Sequence, residues 1–209
     1  MKRLSLWLLV LVPLLYYFVL VVGALTYPGY SHVTRYASEL GAQGAPYPAL
    51  FNVGIVVAGL AAIAGAYGVT TVLRDISGGR LWPALAGLTL LLWGAAMVAG
   101  GMFPMPDERH GAFGLAMAGQ LTPLFVLLAL RRLDGWRPLK LFLGAVLLVS
   151  ASLLAVMMGA GGLVTLANVG LWQRAYSASA IPWFAVLGLV LLGWHRASFR
   201  SRPVVTEAS

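Results

Sequence analysis

Six long apolar stretches, at about residues 4–25, 49–73, 81–103, 111–130, 139–158 and 177–195, are divided by shorter segments where charged and turn-forming residues gather. Each approaches or exceeds the ~20 residues that a helix needs to cross a hydrocarbon core of about 30 Å. None alternates strictly between apolar and polar positions, as a strand of a membrane barrel would. The pattern therefore predicts helices, whose backbone groups bond within one segment. The expected fold is an all-α integral membrane protein, a six-transmembrane-helix bundle. Residues 1–197 form one membrane domain and 198–209 a short tail.

Composition sharpens the picture. Hydrophobic residues make up 60% of the 209 and charged residues 10%, with a mean hydropathy of +0.88. Soluble domains average about 45–50% apolar and 25% charged. Six spans leave no room for a second sizeable domain. Tyr27, Tyr30, Trp82, Trp136, Trp172, Trp183 and Trp194 fall near the ends of the stretches, where amphipathic rings suit the headgroup region. Lys2 and Arg3 before the first stretch give it the look of a secretory signal, but its apolar run is longer than the core of one, and it is expected to remain as a helix. The chain has no cysteine, which excludes disulfides, thiolate metal sites and a cysteine nucleophile.

Charge then predicts orientation. In a six-span topology, all but Arg35, Arg109 and Arg174 of the 14 Lys and Arg residues lie on the side of the termini. Short loops rich in Lys and Arg are retained in the cytoplasm, so both termini are expected there. The net charge of +8 reads as a topology signal and a contact with anionic headgroups of the lipid bilayer, and no nucleic-acid partner is expected.

The three segments on the other side carry the candidate chemistry. In 26–48, Ser31 is placed to cap a short helix that Gly41 ends, with Arg35 and Glu39 paired across one turn. In 103–110, Asp107 is placed to cap the fourth helix, and His110 follows three residues later. An aspartate there could orient the imidazole as a base or ligand, and a plain cap with an interfacial histidine explains the same spacing. In 159–177, a re-entrant or interfacial helix is expected from about Leu163 to Arg174, hinged at Gly159, Gly161 and Gly162.

Inside the stretches, Gly54, Ala58 and Ala62 recur every four residues, a spacing that lets helices approach closely. Gln120, Thr122 and Pro123 mark a kink, with Gln120 as packing glue. The stretches hold no charged group near their centres, and no internal repeat is visible, which argues against an ion-coupled pump built from inverted halves. Nucleotide and GxSxG hydrolase motifs are missing, and no histidine is placed for haem. No cofactor is expected. For zinc, His32 and His110 with Asp107 or Glu39 form the one conceivable set, because His195 lies at the opposite end; no metal site is assigned.

The segments SELGAQGAPYPALFN (38–52), GMFPMPDERHGAFG (101–114) and GLWQR (170–174) resemble the DUF998 family of bacterial and archaeal six-helix membrane proteins. The general look is also similar to that of the Frag1/DRAM/Sfk1 proteins, six-helix proteins associated with lipid handling. The DUF998 resemblance implies a prokaryotic plasma membrane and brings motif residues onto one face, among them Ser38, Glu39, Asp107, His110, Gln173 and Arg174. These six are the expected binding residues for a lipid-like or amphiphilic ligand, with Arg174 taking phosphate or carboxylate and the acids taking an amine. Three alternatives stay open: pairing of the same charges to close the bundle, a membrane-embedded and possibly metal-dependent hydrolase or lipid-modifying enzyme, and a structural partner subunit of another membrane protein.

Overall fold

The computed structural model describes residues 1–200, so the expected tail lies outside the described residues from 201 onward. Seven α-helices account for most of the chain: α1 (Lys2–Leu25), α2 (Pro48–Ser77), α3 (Leu81–Met102), α4 (Thr122–Leu130), α5 (Arg137–Met157), α6 (Val169–Ala180) and α7 (Trp183–Arg200). The described residues contain no strand. Among the described residues six helical segments are long and apolar enough to cross a membrane: α1, α2, α3, Glu108–Leu130, Asp134–Met157 and the joined α6–α7. The chain is a multi-pass membrane protein built as a helical bundle.

Local chemistry sets the helix ends. Pro48 opens α2, where its missing N–H removes no helical bond. Gly78 closes it with φ 67, a left-handed turn whose N–H returns to Arg74 O at 2.9 Å. Pro182 separates α6 from α7, since proline cannot donate to the preceding turn.

Glycine spacing decides which helices touch. Gly87, Gly94 and Gly101 recur every seven residues on α3 and meet the antiparallel α2. A Cβ on Gly94 would lie 2.8 Å from Gly59 O, one on Gly59 would lie 2.6 Å from Gly94 O, and one on Gly101 would lie 2.6 Å from Asn52 O. On its other side α2 presents Gly65 and Gly68 to Leu9 and Leu6 of α1, and Gly188 of α7 meets Leu6 O and Val10. Ala58 and Ala62 are fully buried, as the four-residue spacing predicts, and Gly54 packs on Val19. At the centre the Trp93 and Phe184 rings meet edge to face at 4.9 Å, joining α3 to α7. Arg196 over the Trp7 ring, at 5.9 Å, brings the two chain ends to the same end of the bundle. The opposite, distal end holds 26–47, 103–110 and 158–168.

Three expectations are corrected. The fourth segment is α-helical only over Thr122–Leu130, and Glu108–Leu121 winds in 3₁₀ turns. The cause is local: Gly111, Gly114 and Gly119 weaken helix propensity, and the chain turns left-handed at Ala112 (φ 44) and Gly114 (φ 79). The insert holds only a 3₁₀ turn, Ala37–Gly41, in place of a helix from Ser31. No separate helix covers 163–174, because α6 starts at Val169 and runs through Arg174 as the first turns of the last crossing. Gln120 acts as glue as expected: its amide N donates to the Tyr176 hydroxyl, and its Oε1 accepts from Ser150 Oγ at 2.9 Å.

Candidate functional site at the distal end

The insert is held by its own polar groups. Ser31 Oγ accepts from Val33 N (3.2 Å) and Thr34 N (3.4 Å), so it caps a turn. Glu39 Oε1 accepts from Tyr36 N at 2.7 Å in a capping box. The expected Arg35–Glu39 pair therefore does not form; Arg35 Nη1 donates to the Tyr27 hydroxyl at 3.0 Å. Behind them Ala37 and Leu40 are buried, Leu40 lies against Gly23 of α1, and Gly41 O accepts from Asn52 of α2 at 2.9 Å. Ser38 Oγ reaches Met105 Sδ at 3.3 Å and Gln43 N donates to Met105 O at 3.0 Å. One short turn thus touches α1, α2 and the 103–110 segment.

The first turn of α6 completes the assembly. Leu171 N donates to Val33 O at 3.0 Å, and Gly170 allows the backbones to close, since a Cβ there would lie 2.5 Å from Arg35 O and 2.6 Å from His32 O. Gln173 Oε1 accepts from Ala37 N at 2.7 Å and from Arg174 Nη1 at 2.9 Å. Arg174 Nη1 also donates to Arg35 O at 2.8 Å, and Nη2 donates to the Tyr30 hydroxyl. Its Nε is buried and has no partner among the described residues. No carboxylate lies within ion-pair distance of Arg174 there, the described ion pairs being Lys2–Asp75 and Arg109–Asp107. Burial, and secondly the charge of Arg174, push the His32 imidazole below its usual 6.5.

A second orphan sits nearby. The Tyr17 hydroxyl of α1 lies beside Ser177 but forms no hydrogen bond of adequate geometry among the described residues, and Ser177 Oγ donates instead to Arg174 O at 3.1 Å. Tyr16 packs edge to face on Tyr17 at 5.1 Å. Tyr17 also lines an apolar groove of about 560 Å³ with Pro13, Leu14, Phe18, Pro182 and Ala185, along the seam of α1 and α7.

Asp107 and His110 form a neighbouring group. Asp107 caps the 3₁₀ segment in place of the expected α-helix start, accepting from Arg109 N at 2.9 Å, and its carboxylate is gripped by Arg109 Nε (2.9 Å) and Nη2 (2.7 Å). Those bonds hold it down at about 2. Arg109 in turn covers the Phe103 ring at 3.9 Å. His110 bonds through Nδ1 to Phe103 O at 2.9 Å, so a main-chain carbonyl, and not Asp107, orients the imidazole. Of the six expected residues, Gln173 and Arg174 share one network with the Ala37 end of the turn that carries Ser38 and Glu39. Among the described residues, the segment that carries Asp107 and His110 meets the turn through the contacts of Met105 with Ser38 and Gln43.

Sequence reading missed Tyr16, Tyr17 and Ser177, which hydropathy absorbs into apolar runs, and Tyr30, which reads as an interfacial ring. A pair of tyrosines in mid-span was the signal. Among the described residues no three His, Asp or Glu side chains gather as a metal-ligand set. No curated protein and no solved structure matches the chain. A family model described as a protein of unknown function, DUF998, matches residues 10–190, and the chain belongs to that family.

Proposed function

We propose that the distal end binds an amphiphile, with its anionic headgroup on Arg174 and its apolar chain in the α1–α7 groove. The observation that carries this reading is the coincidence of the two orphans. Arg174 Nε and Tyr17 OH are the two buried side-chain polar atoms without a partner among the described residues, and Ser177, one turn after Arg174 and bonded to its main-chain carbonyl, links the two helices that carry them. A buried donor left unmade costs about 1–3 kcal/mol, and a buried cation without a counter-charge costs more. A phosphate or carboxylate seated on the Nε–Nη2 edge satisfies the cation in the planar geometry that guanidinium favours. The groove volume of about 560 Å³ falls within the ~300–1,000 Å³ typical of ligand clefts.

Each expected residue has a place in this reading. Gln173 and Arg174 form the head of the site, Ser38 and Glu39 hold the turn that roofs it, and Asp107 and His110 make the far rim. Both termini are cytoplasmic, so the site faces the outer leaflet of a prokaryotic plasma membrane. The metal-dependent hydrolase reading has no ligand set among the described residues to support it.

Native mass spectrometry of the full chain with lysophosphatidylglycerol tests this. Wild type should hold one molecule, while Arg174→Gln and Tyr17→Phe should each lose it about tenfold or more, with melting changed by only a few degrees. Undiminished retention in both variants would reject the site. So would melting that collapses with retention unchanged per folded molecule, which marks a structural clasp.

A further inference from the structure

At the end that carries the termini, the α2–α3 turn and the α4–α5 turn face each other across a pocket of about 290 Å³, lined among others by Ser77, Arg80, Trp82, Arg131 and Arg132. None of the three guanidinium groups forms an ion pair among the described residues. Neither acid of this end among the described residues lines the pocket: Asp75 is held by Lys2 at 2.6 Å, and Asp134, next to Leu133, opens the 3₁₀ turn before α5. Arg131 has two contacts. Its Nη1 donates to Leu128 O at 3.1 Å, and its guanidinium lies 5.8 Å from the Trp82 ring, which itself stacks on Phe125 at 6.2 Å. The first turn of α3 starts at Leu81 with no side-chain cap from Arg80, so its free N–H groups add partial positive charge. Three like charges lining one concavity make it attractive to an anion.

We propose that this pocket binds a phosphate group, supplied either by an anionic lipid headgroup or by a free phosphate. Arginine forks match phosphate oxygens in pairs, and basic pockets between helices at a membrane surface suit such headgroups. A stacked tryptophan beside Arg131 keeps one fork preorganised at the depth where headgroups lie. The site is separate from the distal one and does not depend on it.

Titration of the full-length protein in detergent with dioctanoyl phosphatidylglycerol, inorganic phosphate and neutral dioctanoylglycerol tests the proposal. Arg80→Gln, Arg131→Gln and Arg132→Gln should each weaken phosphatidylglycerol by about tenfold. Arg74→Gln and Arg137→Gln, equal in charge but outside the pocket lining, should stay within about twofold. Should Arg131→Gln fail to fold, Arg80→Gln and Arg132→Gln carry the test, because their side chains make no hydrogen bond among the described residues. Phosphatidylglycerol binding without inorganic phosphate identifies a lipid source, and competition by inorganic phosphate identifies the free ion; both support the site. Running the series in an Arg174→Gln background separates it from the distal site. Equal binding of dioctanoylglycerol, equal loss in the Arg74 and Arg137 variants, or no binding of either phosphate probe overturns the proposal.

Discussion

Gly170 shows how one residue sets the distal end. It admits the carbonyls of His32 and Arg35 to within a distance that any Cβ would violate, and only then can Arg174 reach Arg35 O and Tyr30. Gly170→Ala should therefore destabilise the protein by about 1–3 kcal/mol, because backbone and not a side-chain tip must yield. Gly144→Ala, with open space around its Cβ inside α5, should be neutral or stabilising by up to ~1 kcal/mol; parallel melts in one detergent compare them. Charge gives a second prediction at this scale. Asp107 is held down at about 2 by Arg109, so the stability it lends is complete above the usual 3.8 and is lost as pH falls through 2. Carboxyl carbon NMR should place its midpoint there, and Arg109→Ala should return it toward 3.8. His32 is displaced below 6.5, so the folded state loses stability as pH falls below that value. Arg174→Gln should raise the His32 midpoint part of the way, since burial is the larger cause.

Elements show where sequence reading works and where it stops. The apolar runs locate α1, α2 and α3 because hydropathy and helix propensity agree over them. They mislead over 111–121, where the residues are greasy but three glycines and a left-handed Ala112 divert the backbone into 3₁₀ turns. Over 169–176 the opposite happens. Gln173, Arg174 and Tyr176 lower the hydropathy, so the start of the last crossing reads as loop, although partners on the insert and on Gln120 bond each of these side chains within the helix, Arg174 Nε excepted. The expected site was legible as positions and not as contacts. Order along the chain brought Ser38, Glu39, Gln173 and Arg174 to one end, but which polar group meets which depends on carbonyls and tyrosines that no motif marks. At the α2–α3 seam, a side chain at Gly94 would meet Gly59 O at 2.8 Å, so Gly94→Val should cost about 3 kcal/mol or more. Melting should fall accordingly, and survival of wild-type stability would show that the seam is not close-packed.

Across the whole molecule, the excess of Lys and Arg at the end of the termini predicts that this end is cytoplasmic. A cysteine at Glu108 should react with an impermeant thiol reagent in intact cells, and one at Ser77 should not; the reverse pattern would invert the orientation. The two anion sites proposed above, at opposite ends of one bundle, would then give the protein a distinct face toward each leaflet. The distal one holds the central claim, that Arg174 keeps a donor free for the headgroup of an amphiphile. Proton–nitrogen NMR of the arginine Nε–H groups reads that donor directly. One resonance, missing in Arg174→Lys, should be slow to exchange in the lipid-free protein and should shift strongly, with saturation at one equivalent, when lysophosphatidylglycerol is added, but not in Tyr17→Phe at the same concentration. An Arg174 Nε–H signal that stays in place throughout the titration would contradict the account.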